Sequence, residues 1–258
     1  MSLNPPIADW QGRRVWLVGA SHGIGAALAR RLAGRGAQVA VSGRSEEALA
    51  EVAAARMRVL PLDVTDAAAW EGAARTLANE WGAVDLTVML AGDYRAVRAW
   101  ELDAATARRL VEVNLLGVMN GVAALMPLTT ARADAGDWGI AVVASLSGLC
   151  GMPNALVYGA TKAALVNFAE TLYFDLAPRG VPVYLVNPGF VATRLTAGND
   201  FAMPGLLTPE AAADAMIAGF EAGDFHIAFP RRFARQVRLM AKLPYRAYFP
   251  LLHKVTGL

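Results

Sequence analysis

Short apolar runs of strand length alternate with amphipathic helical stretches along most of this chain. The apolar runs lie at Arg13–Val18, Gln38–Ser42, Arg58–Leu62, Leu86–Leu90, Gly139–Ser145, Val183–Asn187 and His226–Phe229. The helical stretches fall near Ile24–Gly34, Glu46–Arg56, Asp66–Trp81, Ala104–Thr130, Leu156–Pro178 and Pro209–Ala222. Continuously apolar strands are buried on both faces, so this alternation predicts a parallel sheet covered by helices on both sides. Right-handed crossovers then give an α/β, doubly wound sheet of the Rossmann type.

A glycine-rich turn joins the first predicted strand to the first predicted helix. Glycines let the backbone approach a ligand closely, and the free amides and dipole of a helix N-terminus favour an anion. A turn in this context predicts a cradle for the pyrophosphate of a dinucleotide. The residues expected to form it are Gly19, Ser21, His22, Gly23, Ile24 and Gly25.

Tyr158 and Lys162 are spaced so that they share one face of a predicted helix. An ammonium beside a phenol favours the phenolate, which lowers the phenol pKa from about 10 toward neutrality and allows acid–base catalysis. Ser145 precedes this pair at the carboxyl end of a predicted strand, where open α/β sheets bind ligands. The alternatives are a packed ring with a solvated amine, and a turn serine.

With these features the chain resembles the short-chain dehydrogenase/reductase family in its single-domain form, from about Gly12 to Phe229. The resemblance implies the strand order 3-2-1-4-5-6-7. Asn114, Ser145, Tyr158 and Lys162 match the catalytic tetrad of that family in order and spacing. Further matches are the acid of an adenine pocket at Asp63-Val64, the close backbone approach at Ala91-Gly92, and the nicotinamide loop with Pro188, Gly189, Val191 and Thr193.

The resemblance also implies a role for each tetrad residue. Tyr158 is expected to be the general acid and base of hydride transfer between a nicotinamide and a carbonyl or secondary alcohol. Ser145 is expected to hydrogen-bond the reacting oxygen, and Lys162 to hold the nicotinamide ribose and lower the tyrosine pKa. Asn114 is expected to anchor a water that connects Lys162 to solvent. The alternative for Asn114 is a helix-kink or capping residue.

Two other expectations come from the same resemblance. Thr193 is expected to bind the nicotinamide carboxamide. Asp63 is expected to accept a hydrogen bond from the adenine amine, and the alternative is a cap for the helix near Asp66. One segment departs from the family pattern, because Met89-Leu90 stands where the family usually has two asparagines before Ala-Gly. Polar ties in the central sheet are expected to be missing there.

The end of the second predicted strand bears on the choice of cofactor. NAD sites usually place a carboxylate here for the ribose 2′-hydroxyl, whereas NADP sites place an arginine for the 2′-phosphate. This chain has Gly43 at the carboxylate position, followed by Arg44 and Ser45. A guanidinium suits a phosphate as a bidentate donor. Together with His22 in the glycine-rich turn, these residues favour NADP(H) over NAD(H). The alternative for Arg44 is a solvated side chain before a helix.

Residues 194–207 are rich in glycine, proline and small side chains, which is typical of a mobile lid over a substrate. Its apolar members favour a hydrophobic substrate, and ordinary loop packing is the alternative. The side chains expected to contribute to the pocket are Leu195, Phe201, Met203, Leu206 and Leu207 of the lid, together with Tyr94, Met152 and Leu156.

The C-terminal segment 231–258 is basic and contains no acidic residue. Phe233, Val237, Met240 and Leu243 are expected on one face of a helix, with Arg231, Arg235, Arg238 and Lys242 opposite, followed by Tyr245, Tyr248 and Phe249. This pattern predicts either a peripheral membrane element or a helix packed on its own domain or on a sister subunit. The expected organisation is one NADP-binding catalytic domain, residues 1–230, with a tail over 231–258.

Composition limits the remaining function classes. The net charge of +2 gives no overall bias toward nucleic acid, and Cys150 is the only cysteine, which suits a reducing compartment. Met1–Trp10 lacks the pattern of a signal peptide, and no spanning helix is expected because Asn114 and Asn120 interrupt the most apolar helical stretch. The expectation is a cytoplasmic homodimer or homotetramer, without a metal site, acting on a small hydrophobic carbonyl or alcohol. The alternatives are a reductase of carrier-bound 3-oxoacyl thioesters and a non-catalytic nucleotide sensor on the same fold.

Overall fold

The computed structural model describes residues 2–53, 57–130 and 139–257. Its strands form one parallel sheet in the order β3-β2-β1-β4-β5-β6-β7, which confirms the predicted topology. The strands are β1 (Arg14–Val18), β2 (Gln38–Ser42), β3 (Arg58–Val59), β4 (Leu86–Met89), β5 (Gly139–Val143), β6 (Val183–Pro188) and β7 (His226–Phe229).

Helices cover both faces of this sheet, as the apolar strands require. Along β1, Val15 and Leu17 belong to one apolar cluster and Trp16 and Val18 to a second, because successive side chains of a strand point to opposite faces. The helices are α1 (Gly23–Gly34), α2 (Glu46–Val52), α3 (Ala67–Trp81), α4 (Ala104–Val111), α5 (Gly117–Thr130), α6 (Leu156–Leu176), α7 (Pro209–Ala222), α8 (Arg231–Ala241) and α9 (Tyr245–Thr256). The first cluster includes residues of α1, α2 and α7, and the second includes residues of α3, α5 and α6.

Several predicted boundaries need correction. The third strand is shorter than predicted. Beyond its end, the amide of Leu60 still donates to the carbonyl of Val41 in β2, and the amide of Leu62 donates to the carbonyl of Gly43 just after β2. The fifth strand ends at Val143, because Ser145 instead caps a short 3-10 turn and accepts a hydrogen bond from the amide of Ser147. The second helix ends at Val52, and residues 54–56 of the predicted helix lie outside the described residues.

The predicted long helix over Ala104–Thr130 consists of α4 and α5 joined by a π-helical turn, Glu112–Leu116. By length and composition alone, Ala104–Pro127 is apolar enough to cross a membrane. In the fold, however, Val118 and Leu125 are buried in the same apolar cluster as Trp70 of α3. This part of the chain therefore supplies core packing, as predicted.

The C-terminal tail forms two helices, where the sequence predicted one helix followed by aromatic residues. Pro244 separates α8 from α9, and a residue that precedes proline is disfavoured in helical geometry. Ala234 and Val237 of α8 are buried with Leu146, so the inner face of α8 packs on its own domain. Leu243 lies beyond the end of α8 and is exposed, which corrects its predicted place on the packed face.

Candidate active site

The glycine-rich turn between β1 and α1 is shaped by close backbone contacts. Gly19 has a φ of +97°, and a Cβ at this position would collide with the backbone of Ala91. A Cβ at Gly25 would collide with the carbonyl of Gly19. Ile24 is partly buried against the core beneath the turn. Only glycine permits these close backbone approaches. The amides of the α1 N-terminus lie beside the turn, as a pyrophosphate cradle requires.

The predicted nicotinamide loop, which follows β6 at the carboxyl edge of the sheet, contacts this turn. Gly23 has a φ of +57°, and a Cβ there would lie 2.9 Å from Cγ2 of Thr193. Val191 is buried, and the amide of Gly189 donates to the carbonyl of Phe229 at 2.7 Å. The carbonyl of Pro188 accepts a hydrogen bond from Ser145 Oγ at 3.4 Å. These contacts bring the predicted nicotinamide loop and the predicted phosphate turn together.

At the end of β2, Gly43 lies directly against Ser21. A Cβ at Gly43 would collide with Ser21 Oγ, so a side chain at this position requires the serine to move. Arg44 follows with an exposed side chain, and its positive charge contributes to a lowered pKa of Asp63. No carboxylate is placed at Gly43, and a guanidinium is available beside the predicted adenine end of the site.

Asp63 does not cap α3. The largest cause of its lowered pKa is the hydrogen bond from the Thr65 amide, and the Thr65 hydroxyl also donates to the same Oδ1 atom at 2.9 Å. The cap of α3 is Asp66, which accepts from the amide of Ala69 at 3.1 Å. Val64 is buried, and its carbonyl accepts from Trp70 Nε1. The capping alternative for Asp63 is therefore wrong, and its expected adenine contact stays a prediction.

Tyr158 and Ser145 meet at the carboxyl end of β5. Ser145 is buried, and its hydroxyl is near enough to Tyr158 to act on the pKa of the phenol. The ring of Tyr94 meets the ring of Tyr158 edge to face, with centroids 5.0 Å apart. Burial raises the pKa of Tyr158 to about 12, and the nearby Ser145 hydroxyl acts in the opposite direction. The phenol is therefore the resting form of the side chain at neutral pH.

Lys162 lies one turn along α6 from Tyr158 and is buried. Its Nζ atom donates to the carbonyl of Val143 at 3.0 Å and lies 5.6 Å from the centroid of the Tyr158 ring. Burial lowers the pKa of Lys162 to about 8. The expected lowering of the Tyr158 pKa is not observed in this structure, because burial dominates at both side chains and the ammonium points to a carbonyl.

Asn114 lies in the π-helical turn between α4 and α5 and is fully buried. Its Oδ1 accepts from the amide of Asp93 at 2.7 Å, and its Nδ2 donates to the carbonyl of Asp93 at 2.9 Å and to Thr161 Oγ1 at 3.2 Å. A Cβ at Gly92 would lie 3.4 Å from Asn114 Oδ1 and 3.6 Å from Lys162 Nζ. The residue therefore joins the loop after β4 to α6, beside Lys162.

Met89 and Leu90 stand where the family usually has two asparagines, and backbone hydrogen bonds still join this part of the central sheet. Met89 is buried in an apolar cluster. The amides of Leu90 and Ala91 both donate to the carbonyl of Val18, at 2.7 and 2.9 Å. Backbone hydrogen bonds thus hold β4 to β1 and place Ala91 against the glycine-rich turn without side-chain ties.

Sequence reasoning missed Arg194 as a functional residue and treated it only as the start of the lid. Its Nη1 atom lies 2.6 Å from His22 Nε2, in the glycine-rich turn. Burial lowers the pKa of His22, and the positive charge of Arg194 lowers it further. The available signal was its position directly after Thr193, in the loop predicted to reach the cofactor.

The lid has one side near the tetrad. The negative charge of Asp200 contributes, after burial, to a raised pKa of Tyr94, which places this part of the lid near the Tyr94–Tyr158 ring pair. Phe201 meets Phe190 edge to face at 5.9 Å. Leu195 and Leu206 are exposed. The described contacts thus bring Asp200 near the ring pair and Phe201 against Phe190, while Leu195 and Leu206 face solvent.

Leu207, Met152 and Leu156, which are also predicted for the substrate pocket, have contacts of their own. Leu207 packs against the core cluster on the α1 face of the sheet and is held there because its amide and carbonyl pair with Phe190 and Ala192. Met152 and Leu156 line a groove of about 650 Å³ between the loop after Ser145, α6 and α9. None of the four tetrad residues lines that groove.

The geometry defines a nucleotide cradle beside a buried Ser–Tyr–Lys group on a doubly wound sheet. The sequence profile of the short chain dehydrogenase family matches residues 13–202. The chain belongs to this family of oxidoreductases.

Individual relatives agree with this assignment. The chain is 34% identical to an uncharacterized oxidoreductase of Myxococcus xanthus over 92% of this chain and 95% of the relative. It is 32% identical to the 3-oxoacyl-[acyl-carrier-protein] reductase FabG of Escherichia coli over 73% of this chain and 77% of the relative.

Solved structures with the same fold bind both nicotinamide cofactors. A short chain dehydrogenase from Burkholderia cenocepacia in complex with NADP has a TM-score of 0.82 at 25% identity, and the match covers 97% of this chain and 99% of that chain. A relative from Burkholderia phymatum in complex with NAD has a TM-score of 0.80 at 26% identity, covering 90% of this chain and 94% of that chain. The family thus uses nicotinamide cofactors, and the preference of this chain is decided by its own residues.

Proposed function

We propose that this protein is an NADP(H)-dependent oxidoreductase that interconverts a carbonyl and a secondary alcohol on a small hydrophobic substrate. The observation that carries the proposal is the placement of Tyr158, Ser145 and Lys162 together, beside the cradle formed by the glycine-rich turn. A proton donor, an oxyanion donor and a buried cation then share one site, as carbonyl reduction requires.

The residues around the cradle fit a dinucleotide. The close approach of Gly19 to Ala91 and of Gly25 to the Gly19 carbonyl leaves room at the start of α1, where a pyrophosphate gains from the free amides. Thr193 reaches the same turn from the nicotinamide loop. When bound, the nicotinamide supplies or accepts the hydride. We assign residues 1–230 to this catalytic domain and 231–258 to a separate tail.

Tyr158 handles the proton in this scheme. In the reducing direction its phenol donates to the developing alkoxide, and in the oxidising direction its phenolate removes the proton of the alcohol. Ser145 holds the same oxygen by a hydrogen bond and stabilises negative charge on it. The proximity of the two side chains supports this pairing, because the Ser145 hydroxyl is near enough to lower the pKa of the Tyr158 phenol.

Lys162 and Asn114 support the tyrosine. Lys162 is expected to leave the Val143 carbonyl and hold the ribose, where its charge favours the phenolate of Tyr158. Asn114 is fixed by the backbone of Asp93 and lies beside Lys162 across Gly92. This position supports the proposed water relay between the ammonium and solvent.

The preference for NADP(H) rests on the end of β2. Arg44 is exposed at the adenine end, and Gly43 offers no carboxylate to repel a 2′-phosphate. A charged hydrogen bond of this kind is worth roughly 1.5–3 kcal/mol, or about tenfold to a hundredfold in affinity. His22, in the neighbouring turn, lies against Arg194, whose charge acts on the pyrophosphate that both cofactors share.

The second candidate is a reductase of carrier-bound 3-oxoacyl thioesters. The similarity to a reductase of that substrate class in Escherichia coli favours it. The chemistry at Tyr158 and Ser145 is the same for a free ketone and a thioester-linked one, so the two functions differ in what binds outside the tetrad. A non-catalytic nucleotide sensor is the third reading, and it predicts cofactor binding without turnover.

We further propose that the protein works in the cytoplasm as a homodimer or homotetramer through α4, α5 and α6. Leu116, in the π-helical turn between α4 and α5, and Leu156 and Phe174 on α6 are large apolar residues that are 45%, 44% and 77% exposed. Packing of this surface against a second copy removes them from water, which favours association.

The first experiment is a titration of the purified protein with NADPH and with NADH, followed by the fluorescence of the bound nicotinamide. Arg44→Ala is expected to weaken NADPH binding by about tenfold to a hundredfold and NADH binding by less than about threefold. Arg30→Ala, on the exposed side of α1, is the matched control. Equal binding of the two cofactors by the natural protein contradicts the NADP assignment.

Turnover is then measured with NADPH on apolar ketones and on a 3-oxoacyl thioester. Tyr158→Phe is expected to lower kcat by about 10²- to 10⁴-fold while cofactor affinity changes little, because only the proton donor is removed. Activity on the thioester alone favours the second candidate. Cofactor binding with no turnover of any carbonyl favours the sensor.

A further inference from the structure

The charge of this protein is divided unequally between the tail and the rest of the chain. Residues 231–258 contain seven of the 24 lysine and arginine residues and none of the 22 aspartate and glutamate residues. The remainder of the chain is therefore net acidic, although the whole protein is close to neutral. All seven cationic side chains of the tail are exposed. Because the segment contains no acidic residue that could neutralise these charges, it attracts a negatively charged surface.

Large apolar side chains are concentrated in the same segment. Among the described residues, 14 large hydrophobic side chains are exposed, and six of them lie between Leu239 and Val255. Leu239 is 61% exposed and Tyr245 is 75% exposed. The rings of Tyr245 and Phe249 stack with centroids 5.5 Å apart. Exposed large hydrophobic residues are therefore much more frequent here than in the rest of the described chain, which is typical of a surface that binds a partner or a membrane.

Part of this exposed apolar surface lies where α8 meets α9, a segment called here the α8–α9 corner. All residues from Ala241 to Ala247, where α8 meets α9, are exposed. Behind the corner, Val237 of α8 and Tyr248 of α9 are buried, and the Tyr248 hydroxyl donates to the carbonyl of Gly151. The two helices are therefore anchored to the catalytic domain by their inner faces and present the corner outward.

The composition of the corner favours a lipid surface over a second copy of this chain. Two copies meeting through this corner about a twofold axis bring like charges together, since the tail has no acid to pair with them. Arginine and lysine bind anionic headgroups with their charged ends and let aromatic and aliphatic groups enter the interfacial region. Tyrosine and phenylalanine beside Lys242 and Arg246 match that arrangement.

We propose that the α8–α9 corner, residues 241–247, together with Leu239 and Phe249 beside it, docks the protein on an anionic lipid bilayer, with its apolar side chains in the interface and its cations on the headgroups. The inference is independent of the oxidoreductase function, because the tetrad plays no part in it. Docking at this corner holds the catalytic domain at the bilayer surface, where hydrophobic molecules are concentrated.

The test is flotation of the full-length, cofactor-free protein with vesicles of phosphatidylcholine alone and of phosphatidylcholine with roughly one-third phosphatidylglycerol. Binding is expected only to the anionic vesicles and is expected to weaken when salt is raised from about 0.05 M to about 0.5 M. Lys242→Glu combined with Arg246→Glu is expected to lower the partition coefficient at least about tenfold. Arg30→Glu combined with Arg179→Glu is the matched control of equal charge change and is expected to have less than about a threefold effect.

A second pair of variants isolates the apolar contribution. Leu239→Ser is expected to weaken vesicle binding several-fold, while Leu3→Ser is expected to leave it unchanged, since the two leucines are 61% and 62% exposed. Circular dichroism and light scattering on each variant check folding and mass. Absence of binding to anionic vesicles at low salt overturns the proposal. So does binding that both tail variants leave intact, or a change of oligomeric mass in Leu239→Ser without vesicle binding by the natural protein.

Discussion

Replacement of Lys162 by methionine is expected to stabilise the cofactor-free fold while it destroys activity. Lys162 is 4% exposed, and burial lowers its pKa from 10.5 to about 8. At neutral pH the fold must therefore hold an ammonium in a poorly solvated place. The lowered pKa corresponds to a cost of about 3 kcal/mol in the free energy of unfolding. Methionine has a similar length and carries no charge.

The gain is reduced by one lost hydrogen bond. Lys162 Nζ donates to the Val143 carbonyl, and leaving that carbonyl without a partner costs about 1–2 kcal/mol. The variant is thus expected to be more stable by roughly 1–2 kcal/mol near pH 7, which raises Tm by about 2–4 °C for each kcal/mol. Lys254→Met, at an exposed position, is the control and is expected to change Tm by less than about 1 °C.

The pH dependence separates charge from packing. Because the folded pKa of Lys162 is below its unfolded value, its destabilising effect is fully present below about pH 8 and is relieved as the pH rises toward 10.5. The advantage of Lys162→Met over the natural protein is therefore expected to shrink across that window in thermal unfolding followed by circular dichroism. An advantage that does not change with pH refutes the assignment to charge, and a less stable variant at about pH 7 refutes the reasoning altogether.

Two further predictions concern the cofactor turn and the oligomer. Arg194→Ala removes the guanidinium beside His22 and is expected to weaken NADPH and NADH about equally, by roughly fivefold to thirtyfold in a fluorescence titration, because the turn serves the pyrophosphate common to both. Selective loss of NADPH, as expected for Arg44→Ala, contradicts this. Phe174→Glu is expected to reduce the mass measured by light scattering to that of a monomer, whereas Leu3→Glu leaves it unchanged. A natural protein that is already monomeric contradicts the proposed interface.

The sheet and most of the site were predictable from sequence because each rests on a local pattern. Strand order followed from the family resemblance, and the alternation of apolar runs with helices placed all seven strands within a few residues. The spacing of Ser145, Tyr158 and Lys162 placed them on one strand end and one helix face, and the structure brings them together. Periodicity and spacing are enough for such features, since the backbone geometry of a strand and a helix is fixed.

The features that sequence did not show depend on contacts between distant segments. Arg194 and His22 are 172 residues apart, and the direction of the Lys162 side chain is set by a carbonyl on β5. The π-helical turn around Asn114 adds a residue to a helix without changing its composition, so no periodicity marks it. The second tail helix was missed because its aromatic residues and Pro250 obscure the helical pattern.

In the cofactor-free protein, the protonation state of Tyr158 suits the proposed carbonyl reduction better than the reverse reaction. Reduction uses the phenol of Tyr158, which a pKa of about 12 keeps protonated throughout the ordinary pH range. Oxidation uses the phenolate. At any pH below that pKa, the phenolate fraction increases about tenfold for each unit by which the pH rises. A Tyr158 pKa that stays near 12 in the loaded enzyme predicts alcohol oxidation that climbs steeply between about pH 7 and about pH 9, whereas the lowering by Lys162 proposed above predicts an oxidation rate that levels off within that range. Initial rates in both directions over that range distinguish the two. A flat oxidation profile would mean that the loaded enzyme lowers the pKa of Tyr158 below 7, and that Lys162, once released from Val143, outweighs burial.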